Sequence, residues 1–114
     1  MLRRFLSLAW LAAIVSGCAP WHELPGPMRQ VPELRADALV ASDGAVLPLR
    51  RWGPTGDPRA VVLALHGFND YSRAFAEPAK AFTAARIVTY AYDQRGFGKA
   101  PHKGTWSSVD AMTD

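Results

Sequence analysis

Apolar residues along this chain gather into two nearly unbroken runs. Residues 60–65, Ala-Val-Val-Leu-Ala-Leu, contain no polar position. A continuous aliphatic and β-branched run of that length predicts a strand covered on both faces. Residues 87–92, Ile-Val-Thr-Tyr-Ala-Tyr, predict a second buried strand rich in β-formers. Between them residues 75–85 read as a helix, with Pro78 in its first turn, where a missing N–H costs least. The first run breaks into His66-Gly67-Phe68-Asn69-Asp70 and the second into Asp93-Gln94-Arg95-Gly96-Phe97-Gly98. Strand, loop, helix, strand, loop puts both loops at one end of a parallel sheet, the end at which open α/β sheets bind ligands.

Upstream, residues 37–42 and 45–52 read as two strands around Asp43-Gly44. Asp-Gly between β-capable runs predicts a two-residue hairpin turn with positive φ at both central positions. Pro48 demotes the second strand to an edge or a bulge. Residues 53–58, Gly-Pro-Thr-Gly-Asp-Pro, form a loop by composition, and residues 94–105 form a Gly-rich one. Ser107, with Asp110 three positions on, predicts the start of a further helix.

The first residues follow a different pattern. Arg3 and Arg4 precede an apolar stretch over 5–15 in which only Ser7 is polar. A membrane span needs about 20 apolar residues, so this stretch reads as the core of a secretory signal. Val15-Ser16-Gly17-Cys18 resembles the lipobox of bacterial lipoproteins. The resemblance implies cleavage before Cys18, lipidation of that cysteine and attachment to a membrane. Ala19, standing where an Asp would retain the protein, implies the periplasmic side of an outer membrane. The expected organisation is a signal peptide over 1–17, a Pro-rich tether over 18–33 and a folded part over 34–114. Within the tether, Trp21 and Leu24 rest either on the membrane interface or on the domain; the sequence leaves both open.

At 114 residues the chain is one domain or part of one. Hydrophobic residues at 49% against charged residues at 20% are globular proportions. From Cys18 onward 11 Lys/Arg face 10 Asp/Glu, leaving +1 of the formal net charge of +3, and Arg3 and Arg4 of the signal segment supply the rest. No basic run or aromatic-basic interleaving points to nucleic acid.

The candidate chemistry lies in the two loops. Acyl transfer through a tetrahedral intermediate needs N–H donors aimed at the developing oxyanion, and a loop leaving a buried strand can present one. Leu65-His66-Gly67-Phe68, then Tyr71-Ser72-Arg73-Ala74-Phe75, then Asp93-Gln94-Arg95-Gly96-Phe97-Gly98 together resemble the α/β-hydrolase superfamily. The nearest branch is the monoacylglycerol lipase and lysophospholipase group, of serine aminopeptidase S33 type. The resemblance covers residues 37–114. It implies the N-terminal, incomplete portion of an α/β-hydrolase fold, a β-hairpin followed by a parallel β-α-β unit. It also implies that the Phe68 N–H is an oxyanion-hole donor carried on the His66-Gly67 loop, and that Asp93, Arg95, Gly96 and Gly98 build a structural loop.

In that fold the nucleophile sits in a Gly-x-Ser-x-Gly elbow, followed in the chain by the triad Asp and His. None of Ser42, Ser72, Ser107 or Ser108 has such a setting, so the triad is expected outside this chain. The strand at 60–65 would then lack the neighbour the fold gives it, and residues 19–114 alone are expected to be marginally stable, with an exposed apolar edge. The implied substrate is a lipid-like carboxylic ester, and no cofactor or metal is expected. A non-catalytic lipoprotein using the module for binding is the alternative, and a hydrolase with an Asp nucleophile is a further one. That last branch carries Pro where this chain has Asn69. Lys99-Ala100-Pro101-His102 also departs from the branch, which has Ser or Thr soon after the last loop glycine.

Other roles follow from position. His66 is expected to tie loops together by hydrogen bonds and not to serve as triad base. Asp93 is expected to accept backbone N–H groups of its own loop and to pair with Arg95. His102 reads as a surface loop residue. Phe68, Tyr71, Phe97 and Trp106 either line an acyl pocket or belong to the core.

Overall fold

A computed structural model describes residues 22–113. The signal segment and Cys18 lie outside the described residues. Five strands form one sheet in the order β1-β2-β3-β5-β4. They are β1 (Glu33–Leu34), β2 (Ala38–Val40), β3 (Val46–Trp52), β4 (Ala60–Ala64) and β5 (Ile87–Tyr92). The two apolar runs become the parallel pair, with Ala60 opposite Ile87 and Ala64 opposite Ala91. The loops that follow them leave the sheet at the same end, as expected.

The hairpin forms, but its turn differs from the expected one. Gly44 donates to the Ala41 carbonyl and Ala41 donates to the Ala45 carbonyl, each at 2.9 Å. The loop therefore has three residues, Ser42, Asp43 and Gly44, and of these only Gly44 has positive φ, at 90°. This is a type I turn closed by a left-handed glycine. Asp43 favours it because its Oδ1 accepts the Ala45 N–H at 2.9 Å.

Pro48 does not mark an edge. Strand β3 is interior, paired antiparallel with β2 on one side and β5 on the other. The Pro48 carbonyl accepts the Asp93 N–H at 2.8 Å, so its nitrogen also faces β5. The β3–β5 pairing ends one residue away, at Leu49 opposite Tyr92. The missing donor thus falls where the ladder stops, which is how an interior strand tolerates it.

The helical crossover starts earlier than residue 75, as a 3-10 turn over Ser72–Ala76, and continues as α1 (Pro78–Ala84) with Pro78 in its first turn. α1 covers one face of the sheet. There Thr89, Ala91 and Ala79 are completely buried. The expectation that β4 is covered on both faces fails among the described residues. Val61 and Leu63 point to the opposite face and stay 63% and 64% exposed. With Leu39, Leu47, Leu49 and Tyr90 they line an apolar trough of about 470 Å³. Strand β4 pairs only with β5, so its outer edge is open among the described residues.

A short helix α2 (Val109–Thr113) brings Met112 to the trough. Its cap is Ser108, whose Oγ accepts the Ala111 N–H at 3.2 Å. Ser107, the expected cap, is instead fully buried beside it. Residues 22–30 lie along the domain. Glu23 donates to the Trp106 carbonyl and accepts from the Ser108 N–H, while the Arg29 and Gln30 amides both donate to the Ser42 carbonyl.

One ion pair joins these parts. The Arg95 guanidinium meets Asp43 Oδ1 at 2.8 Å with both side chains nearly buried. Asp43 Oδ2 also accepts the Gly26 N–H at 3.2 Å. The Arg95 hydrogen bond is the main cause holding the Asp43 carboxyl well below the usual carboxylate range; the Ala45 and Gly26 amides assist, and burial opposes them. Removing one member of a buried pair costs about 3–5 kcal/mol, so Asp43→Ala should destabilise the full-length protein by that order in urea unfolding. A folded-state pKa below the unfolded one stabilises where the unfolded carboxylate is ionised, above about pH 4. That stability is lost as the pH falls below this value, and Asp43→Ala should flatten the acid limb of the stability curve.

Candidate active site

The site is built where β4 and β5 end. The chain leaves β4 through His66, whose side chain is buried. The Gln94 N–H, an obligate donor, meets His66 Nε2 at 3.0 Å. Nε2 is therefore the acceptor, and the partners assign the proton of the neutral ring to Nδ1. From there it reaches the Gly67 carbonyl, 2.9 Å away. The Gln94 side-chain amide returns a bond to the His66 carbonyl at 2.6 Å. The two loops are thus laced together by His66 and Gln94, and the expected loop-tying role of His66 is what its contacts describe.

Residues 67–70 form a tight turn. Asp70 donates to the Gly67 carbonyl at 3.2 Å, and Asn69 takes the left-handed conformation at φ 61°. With positive φ only at its third position, this has the form of a type II turn. Phe68 occupies the second position, and its N–H has no acceptor among the described residues. Its ring is 70% exposed.

Asp93 anchors the other loop. Its carboxylate is buried and accepts the Ser72 hydroxyl and the Ser72 N–H on Oδ1, and the Lys99 N–H on Oδ2. The Arg50 guanidinium donates in turn to Ser72 Oγ at 3.1 Å. Burial is the largest influence on the Asp93 carboxyl and raises its pKa. The hydrogen bonds from Ser72 and Lys99, with the Arg50 charge, outweigh it and leave the net shift downward. The expected backbone acceptance is present, but the expected pairing with Arg95 is not, because Arg95 reaches back to Asp43. Among the described residues the hydrogen-bond partners of the Asp93 carboxylate are Ser72 and Lys99. Ser72, Arg50 and Gln94 are the residues that sequence reasoning missed. Ser72 is visible only as part of the Tyr71-Ser72-Arg73-Ala74-Phe75 segment.

The remaining loop glycines fit tightly. Gly96 donates to the Pro101 carbonyl and accepts from the Gly104 N–H. Gly98, at φ 55°, lies so close to Asp93 that a Cβ would sit 2.3 Å from Oδ2. His102 is a half-exposed loop residue at φ 60°, 3.1 Å from a Glu23 carboxylate oxygen.

Three of the four expected aromatics, Phe68, Phe97 and Trp106, gather together. The Phe68 ring lies 5.6 Å from Phe97 and 5.5 Å from Trp106, and Phe97 also stands edge-on to the His66 ring at 5.4 Å. Phe68, Phe97 and Trp106 border a hollow of about 200 Å³, rimmed by Asn69 and Lys103. They are a surface cluster and not core. Tyr71 stays outside it, its Cβ against Gly98. An unpartnered N–H next to an apolar hollow can hold an anionic oxygen while an apolar group lies alongside.

Comparison with known proteins identifies the family. Residues 56–114 match the family described as serine aminopeptidase S33. Human monoglyceride lipase is 34% identical over 62 residues, which cover 54% of this chain and 20% of that protein. The monoacylglycerol lipase of Mycolicibacterium smegmatis is 38% identical over 52 residues, 46% of this chain and 19% of its own length. The chain thus spans about a fifth of these curated relatives. A solved structure titled as novel epoxide hydrolases of the alpha/beta hydrolases superfamily, from metagenomes of hot environments, is similar with a TM-score of 0.45 and 26% identity. It covers 65% of this chain and 22% of that one.

The contact around Asp93 gives a direct test. A left-handed non-glycine residue costs about 1–2 kcal/mol, and a Cβ at Gly98 would also press on a committed carboxylate oxygen. Gly98→Ala should therefore lower the unfolding free energy of the full-length protein by about 2 kcal/mol or more. A loss under about 0.5 kcal/mol, the size of an ordinary surface substitution, would show that the loop relaxes around the methyl group.

Proposed function

The chain belongs to the serine aminopeptidase S33 family and carries part of an α/β-hydrolase fold, and on that premise we propose that the whole protein is a membrane-anchored serine hydrolase of lipid-like carboxylic esters. The observation that carries the reading is the unpartnered Phe68 N–H, held in a turn at the end of β4 beside the Phe68, Phe97 and Trp106 hollow. Attack of a serine on the acyl carbonyl moves charge onto the carbonyl oxygen. The Phe68 N–H donates to that oxyanion, and the acyl group lies along the aromatic rings. The nucleophile and its acid–base partners are assigned to no residue of this chain. The names of the human and mycolicibacterial relatives support a glycerol monoester as the substrate class.

Anchoring rests on Arg3, Arg4, the apolar stretch over 5–15 and Cys18. In this proposal lipid on Cys18 holds the protein to the cell envelope, on the periplasmic face of the outer membrane. Cys18→Ser should move the protein from the membrane fraction to the soluble fraction, and the ester activity should move with it. Protein that remains in the membrane fraction would remove lipidation as the anchor.

Substitution within the turn tests the oxyanion role. Proline is favoured at the second position of a type II turn, so Phe68→Pro deletes the N–H while keeping the turn. Loss of one oxyanion donor typically costs 10²–10³ in kcat. Phe68→Pro should therefore lower kcat of the full-length protein on a soluble short-chain p-nitrophenyl ester by about that factor. Phe68→Ala keeps the donor and should lose less than about tenfold. Equal losses in the two variants would remove the donor role and favour a binding function for the module.

A further inference from the structure

The Gly67–Phe68 peptide unit carries two facts that belong together. Its carbonyl accepts two hydrogen bonds, from His66 Nδ1–H at 2.9 Å and from the Asp70 N–H at 3.2 Å. Its N–H, that of Phe68, donates to no acceptor among the described residues. In a planar trans peptide the C=O and N–H point in opposite directions. Whatever fixes the Gly67 carbonyl therefore fixes the line along which the Phe68 N–H points. The imidazole does so only as the tautomer with its proton on Nδ1, and that tautomer is imposed by the Gln94 N–H bonding to Nε2. The Gln94 side chain, bonded to the His66 carbonyl at 2.6 Å, holds the backbone from which the ring projects. Phe97 stands against the ring edge at 5.4 Å.

From this geometry we infer that His66 is a positioning residue for the oxyanion donor, and that Gln94 sets the histidine tautomer it needs. The chain of bonds runs from Gln94 N–H to His66 Nε2, from His66 Nδ1–H to the Gly67 carbonyl, and through one rigid peptide to the Phe68 N–H. The Gly67 carbonyl thus has two donors, the Asp70 N–H and the imidazole, and the imidazole is the one that depends on the tautomer. The inference rests on the oxyanion role proposed above for the Phe68 N–H.

Two substitutions separate the two sides of the ring. Asparagine places an amide N–H where Nδ1–H stands and abandons the Gln94 contact. Glutamine reaches the position of Nε2, can accept the Gln94 N–H, and abandons the bond to Gly67. In the full-length protein, His66→Asn should lower kcat on a soluble p-nitrophenyl ester no more than about threefold. His66→Gln should lower it thirtyfold or more, with KM within about twofold of the parent. Both should lower the thermal midpoint, so a purely structural role predicts kcat losses that follow stability in both. Equal kcat losses, or a greater loss in His66→Asn, overturn the inference. Phe68→Pro run in parallel keeps the two readings apart. If it leaves kcat intact, the oxyanion reading fails. If it cripples kcat while the histidine variants lose equally, only the positioning role fails.

Discussion

A carboxylate buried at the end of a strand must find donors or give up its charge, and the loops around Asp93 are arranged to supply the donors. Three hydrogen bonds from Ser72 and Lys99 reach it, and Gly98 wraps against it without room for a side chain. The same interaction does two jobs in the fold. It binds the start of the helical crossover to the end of β5, and it sets the path of the loop that carries Phe97. Because Phe97 touches both His66 and Phe68, the position of the first loop depends on the satisfaction of a carboxylate in the second.

Among the described residues, Asp43 and Asp93 have little exposed side-chain surface and are held ionised by their donors. Asp93 is enclosed by its own loop and the crossover. Asp43 is drawn to Arg95 across 52 positions of sequence. Each exchanges hydration for several directed bonds, which is why both remain charged in spite of burial. The result is a frame of directed bonds around the 67–70 turn, in which the Phe68 N–H has no acceptor among the described residues. Electrostatic stabilisation of a transition state needs donors that are already in place, and a frame of this kind spares the reorganisation.

Much of the frame was legible in the sequence because local patterns determine it. The apolar runs gave β4 and β5, Pro78 marked the first turn of α1, and the two loops emerged at one sheet end. The failures have a common cause in longer-range information. Asp-Gly was read as a two-residue turn, but Asp43 bonds to Ala45 and Arg95, and a three-residue loop accommodates both. Pro48 suggests an edge or a bulge, whereas the ladder on its β5 side simply ends there. Ser107 and Ser108 are adjacent hydroxyls, and no local rule says which of them the packing buries. Among the described residues one face of β4 is uncovered, since an all-apolar run reports what a strand can be covered by, not what lies on it. Of the site, the Phe68 turn was visible through its glycine and its place after the strand. The Gln94 contribution was not, since a glutamine in a loop carries no signal of its own.

The backbone around Glu23 has a mechanical meaning. Glu23 is bonded through its own main chain to Trp106 and Ser108, while Gly26, Arg29 and Gln30 are fastened to the hairpin turn. A pull on residue 22 would be carried through Glu23 to the Trp106 segment, at the rim of the aromatic hollow, and through Gly26, Arg29 and Gln30 to the hairpin turn.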